Sequence, residues 1–198
     1  MGLDLDYSEG QTPLDEDEKE GLLIPSITTR GELDEFEQLD VEKAIEWLLA
    51  RKLTINKILT EKFVKDLHKR MFGDIWKWAG EFRNTNKNIG VDKFMIGTEL
   101  KNLLDDCNYW IEQNVFSEDE IAVRLSHRMV HIHPFANGNG RHSRLIADVL
   151  VTEGFGRPYF TWGSVSLTKQ SEARTKYLAA LRDADRNDYN SLIEFSRL

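Results

Sequence analysis

The sequence predicts an all-α fold, a helix bundle carrying one small β-hairpin. Two observations predict it. Apolar residues recur at the three- and four-residue spacing of a helix face in tract after tract, and a single tract, residues 89–96, has β-branched, strand-like character. A hydrophobic content of 40% with five Trp supplies a core for 198 residues, and no repeat or low-complexity tract interrupts the pattern.

The elements follow in chain order. Val41, Ala44, Ile45, Leu48 and Leu49 mark a first helix. Phe63, Leu67 and Met71 mark a second, with Thr60 as its cap and Gly73 as its stop. Residues 89–96 then form the strand-like tract of the hairpin, or equally an ordinary covering loop. Leu100, Leu103, Leu104, Cys107 and Ile111 mark a third helix, after Thr98. Ile121, Leu125, Met129 and Val130 mark a fourth, opened by a Ser117/Glu120 capping box and closed by Pro134, which disfavours helical geometry at His133. Leu145, Ile146, Val149 and Leu150 resume the helical period up to Gly154. Residues 158–162 are a connector, and Thr168 caps a last helix bearing Tyr177, Leu178 and Leu181.

Composition excludes several classes. Residues 1–20 carry eight acidic groups and one lysine, a net of −7 in a chain whose total is −8. A general nucleic-acid surface is therefore not indicated, and the acidic opening reads as a solvated tail or a partner-docking arm. The lone Cys107 lies among core leucines and allows no disulfide within the chain. No apolar stretch follows a basic start, so neither a leader nor a membrane span is expected, and a cytoplasmic protein is.

The chemistry concentrates in residues 133–144, His-Pro-Phe-Ala-Asn-Gly-Asn-Gly-Arg-His-Ser-Arg. His133 ends one helix as Gly138, Asn139 and Gly140 begin the next. Free amides and the positive end of the second helix dipole thus face the loop, a setting for phosphate. Arg141 and Arg144, three apart, share a helix face and can grip phosphate oxygens as planar forks. A neutral His133 beside that cradle can take a proton from an attacking hydroxyl. The rival is zinc: His127 and His131 lie four apart and His133 two beyond, but Pro134 turns His133 off that face and no carboxylate or cysteine completes the set.

This run resembles the signature of the Fic (Fido) family, H-P-F-x-[D/E]-G-N-G-R-x-x-R. Trp78-Ala79-Gly80, Arg83 and residues 88–96 resemble the family's approach to its flap, and Tyr177 to Leu181 with Ala184-Asp185 its late helix. The resemblance covers residues 55–198, the expected Fic domain, with residues 1–54 an acidic extension. Thr12-Pro13-Leu14 and residues 27–33 resemble a small bacterial subgroup, the mobile mystery protein B type.

The resemblance implies a protein adenylyltransferase that moves AMP from ATP to a Ser, Thr or Tyr hydroxyl of a target protein. It implies His133 as base; Gly138, Asn139 and Gly140 as the anion hole; Arg141 on the phosphates; and Arg144 on the terminal phosphate. Asn88, Ile89, Gly90, Val91, Phe94 and Ile96 would pin the target segment by strand-like pairing, and an antitoxin-like protein is an implied partner. Tyr177 and Lys176, on the late helix, would lie near the nucleotide base, Tyr177 by stacking or by plain packing. A family inhibitory motif, [S/T]-x-x-x-E-[G/N], is matched by residues 28–32 except that Leu33 replaces its final residue, which makes Glu32 a candidate inhibitor acting on Arg144; the alternative is a first-turn acid beside a capping threonine.

One position departs. The family carries Asp or Glu where this chain has Asn137, and that carboxylate holds Mg²⁺. Asn offers a neutral oxygen, a weaker ligand. The readings are a Mg²⁺ carried mostly by the nucleotide, a donor other than ATP, or a non-catalytic nucleotide-binding or interaction module. On the first, Asn137→Asp raises Mg²⁺-dependent transfer of labelled nucleotide; an unchanged or lower rate counts against it.

Overall fold

The structure, a computed structural model, describes residues 13–164 and 172–198. Its helices are α1 Glu16–Lys19, α2 Arg30–Leu49, α3 Ile55–Ile58, α4 Glu61–Phe72, α5 Ile96–Glu112, α6 Glu118–Ile132, α7 Asn139–Val149, α8 Glu172–Asp185 and α9 Asn190–Arg197. A π turn, Leu150–Gly154, extends α7.

Side chains set the starts of α2, α4 and α6. Thr29, Thr60 and Ser117 each accept a first-turn amide, from Glu32, Phe63 and Glu120. This satisfies groups that have no partner inside the helix. α4 ends at Gly73. α6 ends at His133, whose φ of 54° is left-handed and whose N–H reaches Met129 O at 3.0 Å. Thr168, expected to cap the last helix, lies outside the described residues.

Packing follows these starts. α6 packs on α7, α5 on α6, α2 on α4 and α8 on α9. Leu67, Met71, Leu100, Leu103, Leu125, Met129 and Ile146 have no solvent exposure. Each such side chain is worth roughly 1.5–3 kcal/mol of burial. α2 lies within the region read as an extension, yet Leu33, Ala44 and Leu48 enter the same core. Of the residues that mark this helix in sequence, Ile45 and Leu49 face outward. Cys107 is fully buried, which pushes its thiol up to about 12 and makes it a packing residue.

The hairpin is the main correction. No strand occurs among the described residues, and the one bridge pairs Leu22 with Trp76. Residues 88–92 form an irregular loop, Lys93–Met95 is a 3-10 turn and Ile96 is the first residue of α5. Asp92 Oδ1 accepts from Phe94 N at 2.9 Å, and Asn86 Oδ1 from Lys93 N at 2.8 Å. These side-chain bonds offer the backbone an alternative to a ladder, and helix α5 starts before Thr98.

The acidic opening is also not simply a tail. From residue 13 it packs down: Leu14 and Glu18 are buried, and Lys87 is held by Glu18 and, at 2.9 Å, by Asp15. Trp78 Nε1 donates to Glu18 O at 2.9 Å.

Candidate active site at the corner between α6 and α7

The site is built on a loop closed from within. Asn139 Oδ1 accepts from Phe135 N at 2.9 Å, and its Nδ2 donates to Phe135 O at 2.8 Å. Asn139 is buried, so this pair fastens the start of α7 to the beginning of the loop, just after α6. Phe135 is fully buried and stacks on His68, ring centroids 3.7 Å apart. Gly138 has a φ of 77°, and a Cβ there would come within 2.5 Å of the Phe72 ring. Only glycine meets both demands.

Three buried histidines are neutral. His68 Nδ1 accepts from Gly80 N–H, so its Nε2 carries the proton and donates to Asn137 O at 3.0 Å. Burial holds it well below the ordinary range. His142 Nε2 donates to Val64 O at 2.9 Å, and burial pushes it down to about 4. Both tie α4 to the loop. His133, at the left-handed position, has Nδ1 3.3 Å from Val130 O. A carbonyl can only accept, so Nδ1 bears the proton and the lone pair sits on Nε2. Burial pushes His133 down to about 4, with the positive charges of Arg83 and Lys87 acting the same way.

The candidate anion cradle is main-chain. Asn139, Gly140 and Arg141 are the first three residues of α7, and helix geometry leaves their amides without an internal acceptor. The Asn139 side chain is spent on Phe135, so its amide is what it can offer an anion. Gly138 differs from expectation: its N–H already donates to Asn137 Oδ1 at 2.5 Å.

The two arginines are held differently. Arg141 lies 4.7 Å over the Phe72 ring, and its Nη2 meets Glu37 Oε2 at 2.6 Å. The other Glu37 oxygen accepts from Trp76 Nε1 at 2.7 Å. Glu37 is buried, and sequence reasoning missed it. Its signal was an acid at the centre of the stripe Leu33, Glu37, Asp40, Ala44, Leu48 that α2 turns inward. Arg144 makes no ion pair or hydrogen bond among the described residues; it lies 5.4 Å over the Tyr177 ring, and its charge acts on the Asp148 carboxyl. One turn on, Asp148 accepts from Trp162 Nε1 at 3.0 Å and from Phe160 N at 3.2 Å. Burial pushes its carboxyl up to about 7.

Other expected residues fall elsewhere. Glu32 is not at Arg144. It is exposed, and its Oε2 takes the amides of Thr28 and Thr29 at 2.9 and 3.0 Å. These bonds lower its pKa and close a capping box. Of the flap, Gly90 abuts His133, whereas Ile96 is 1% exposed and cannot meet a target. Phe94, at 83%, projects into solvent. Tyr177 is buried against Phe195, a packing role, and Lys176 pairs with Glu172 at 2.8 Å. His127 is bonded to Tyr189 and Asp185, and no three His, Cys, Asp or Glu groups converge among the described residues. The loop also does not fit a protein-held Mg²⁺. It offers one neutral oxygen, Asn137 Oδ1, already engaged by Gly138 N–H.

The sequence profile of the Fic/DOC family matches residues 58–151, from the end of α3 through α7. These residues form a Fic/DOC domain. Curated Fic relatives agree. A protein adenylyltransferase Fic of Aedes aegypti is 26% identical over 82% of this chain and 32% of its own length. That of Drosophila grimshawi is 30% identical over 77% and 30%. The chain therefore spans about a third of the length of these relatives. The Fic fold is shared with Fic-1 of C. elegans, at TM-score 0.67, 23% identity, 90% of this chain and 51% of that one. It is shared too with BepC of Bartonella tribocorum, solved with bound AMPPNP, at TM-score 0.65, 17% identity, 92% and 97%.

Two outcomes follow for this Fic site. Glu37→Ala strands Arg141 and the Trp76 indole N–H, and lowers unfolding stability by about 3–5 kcal/mol in urea titration; a cost below about 1 kcal/mol would show the pair to be dispensable. Stability also falls on acidification. His133 and His142 are depressed from 6.5 to about 4, so the stability they contribute is present above pH 6.5 and is lost as pH falls through 4. Asp148 acts oppositely, losing its contribution as pH rises from 3.8 through about 7, and offsets part of the change. Urea midpoints at pH 7, 5.5 and 4 read the balance, which a flat profile would contradict.

Proposed function

We propose that this chain is a protein adenylyltransferase, moving AMP from ATP to a Ser, Thr or Tyr hydroxyl of a target protein. The observation that carries this reading is the neutral His133, its Nδ1 proton turned to Val130 O and its lone pair on Nε2, in a buried corner next to the first-turn amides of α7. The curated relatives that bear the adenylyltransferase name support the reaction class, and the AMPPNP in BepC supports an adenine nucleotide as donor.

In the proposed step His133 Nε2 takes the proton of the target hydroxyl. The oxygen attacks the α-phosphorus, the bond to the β-phosphate oxygen breaks, and pyrophosphate leaves. The amides of Asn139, Gly140 and Arg141 and the Arg141 guanidinium receive the charge that develops on the phosphates. Arg144, which makes no ion pair among the described residues, takes the terminal phosphate. A ring pushed down to about 4 is a weak base by itself; the anionic nucleotide beside it raises its proton affinity when both are bound. Mg²⁺, where used, comes with the nucleotide, and Asn137 is at most a weak ligand. The target segment lies along residues 88–92, without Ile96. An inhibitory role for Glu32 is not part of this reading, since its Oε2 is bonded within its own helix cap. A resident partner of antitoxin type and a cytoplasmic setting belong to the same proposal, as does the subgroup likeness of residues 27–33.

Asn137 favours a second reading, a module that binds nucleotide without transfer. Transfer from labelled ATP, on the purified chain and in a lysate, separates the two. Wild type labels itself or a lysate protein, His133→Ala loses at least a hundredfold, and Glu32→Gly matches wild type. Nucleotide binding with no His133-dependent label supports the module, and a Glu32→Gly gain restores the inhibitory role to that residue.

A further inference from the structure

Arg83 is 4% exposed, and its hydrogen-bonding partners are backbone carbonyls rather than carboxylates. Nε donates to His133 O at 2.7 Å, Nη1 to Thr85 O at 2.7 Å and Nη2 to Val91 O at 2.5 Å. Nη2 also points at Ile132 O, 3.5 Å away, and the Arg83 amide donates to Pro134 O at 2.9 Å. Three stretches of chain meet on one side chain: its own loop, the segment expected to hold the target, and the corner that carries the base. Val91 N–H adds a direct bond to Ile132 O at 3.3 Å. Gly90, at φ 100°, lies so close that a Cβ there would be 2.7 Å from His133 Cβ and 2.9 Å from Arg83 Nη2.

We propose that Arg83 is a positioning residue that locks the target-docking segment, residues 88–92, to the His133 corner, so that base and acceptor are placed as one unit. The inference rests on the transferase reading for the role of His133. Its physical ground is the cost of the arrangement. A buried cation without a bonded anion is unfavourable, and desolvation lowers the Arg83 pKa against the weaker pull of Asp92 and Glu18. His133 is in addition held in a left-handed conformation that a side chain resists. The planar guanidinium, with donors directed along separate lines, is the side chain able to satisfy carbonyls from three segments together. Its charge also helps hold the ring neutral, alongside Lys87, which Glu18 and Asp15 in turn offset.

The test compares Arg83→Met and Arg83→Lys in the full chain. The readouts are Val91 amide exchange, His133 ring titration by NMR, ATP affinity, and self-labelling from labelled ATP against pH. In Arg83→Met, Val91 exchange speeds at least tenfold, the His133 midpoint moves up toward 6.5, self-labelling drops at least tenfold, and ATP affinity stays within twofold because the α7 amides are untouched. Arg83→Lys keeps the charge but not the fork, so the midpoint stays low while exchange and labelling change as in Arg83→Met. Normal Val91 protection with normal labelling in either variant overturns the proposal. So does a parallel loss of ATP affinity, which would mean general loosening. Should Arg83→Met not fold, Arg83→Lys alone decides by exchange and labelling. Absence of labelling in wild type would sink the transferase reading, while exchange and titration still decide the lock.

Discussion

The carboxamide of Asn139 pairs with both the N–H and the C=O of Phe135, and the rest of the site hangs on that pair. It fixes where α7 starts after α6 ends. The three bare amides then point into the corner, Phe135 is driven onto His68, and the carbonyl of Asn137 turns toward the same imidazole. Without it, the glycines that let the loop turn so tightly would also let it wander. The buried histidines do the complementary work from outside, tying the loop to α4 by neutral hydrogen bonds that carry no desolvated charge.

Charge is arranged in pairs of opposite purpose. The chain is acidic overall, yet the corner gathers Arg83, Lys87, Arg141 and Arg144. Two of these cations are met by buried acids from the N-terminal half: Lys87 by Glu18, Arg141 by Glu37. Arg83 is met by backbone alone. Glu37 is seated by Trp76 and lies on the core side of Arg141. It steadies the guanidinium from behind, and the remaining donors of the fork stay available to a ligand.

Much of this was legible in the sequence because it rests on local rules. Thr60, Ser117, Gly73 and Pro134 act on their own neighbours, and the helices start and stop where those residues say. The run from His133 to Arg144 marked the proposed base and cradle by residue type and order. The rest turned on competing hydrogen bonds and helical phase. Residues 89–96 have β-branched side chains, but a strand needs a partner, and Asp92 and Asn86 captured the backbone first. Glu32 and Glu37 lie five residues apart on one helix, and helical phase turns the first to its own cap and the second to the core. The partners of Arg83 are carbonyls, which every residue has, so no pattern of letters could name them.

The cradle being made of peptide groups has a consequence for selectivity. Amides at a helix start count negative oxygens and measure their spacing; they carry no information about purine or pyrimidine, ribose or another alcohol. On the transferase reading, the phosphate end of this site is thus a universal socket, and the choice among donors is delegated to whatever surface meets the rest of the molecule. Changes there can retarget the chemistry and leave the corner, its base and its stability untouched.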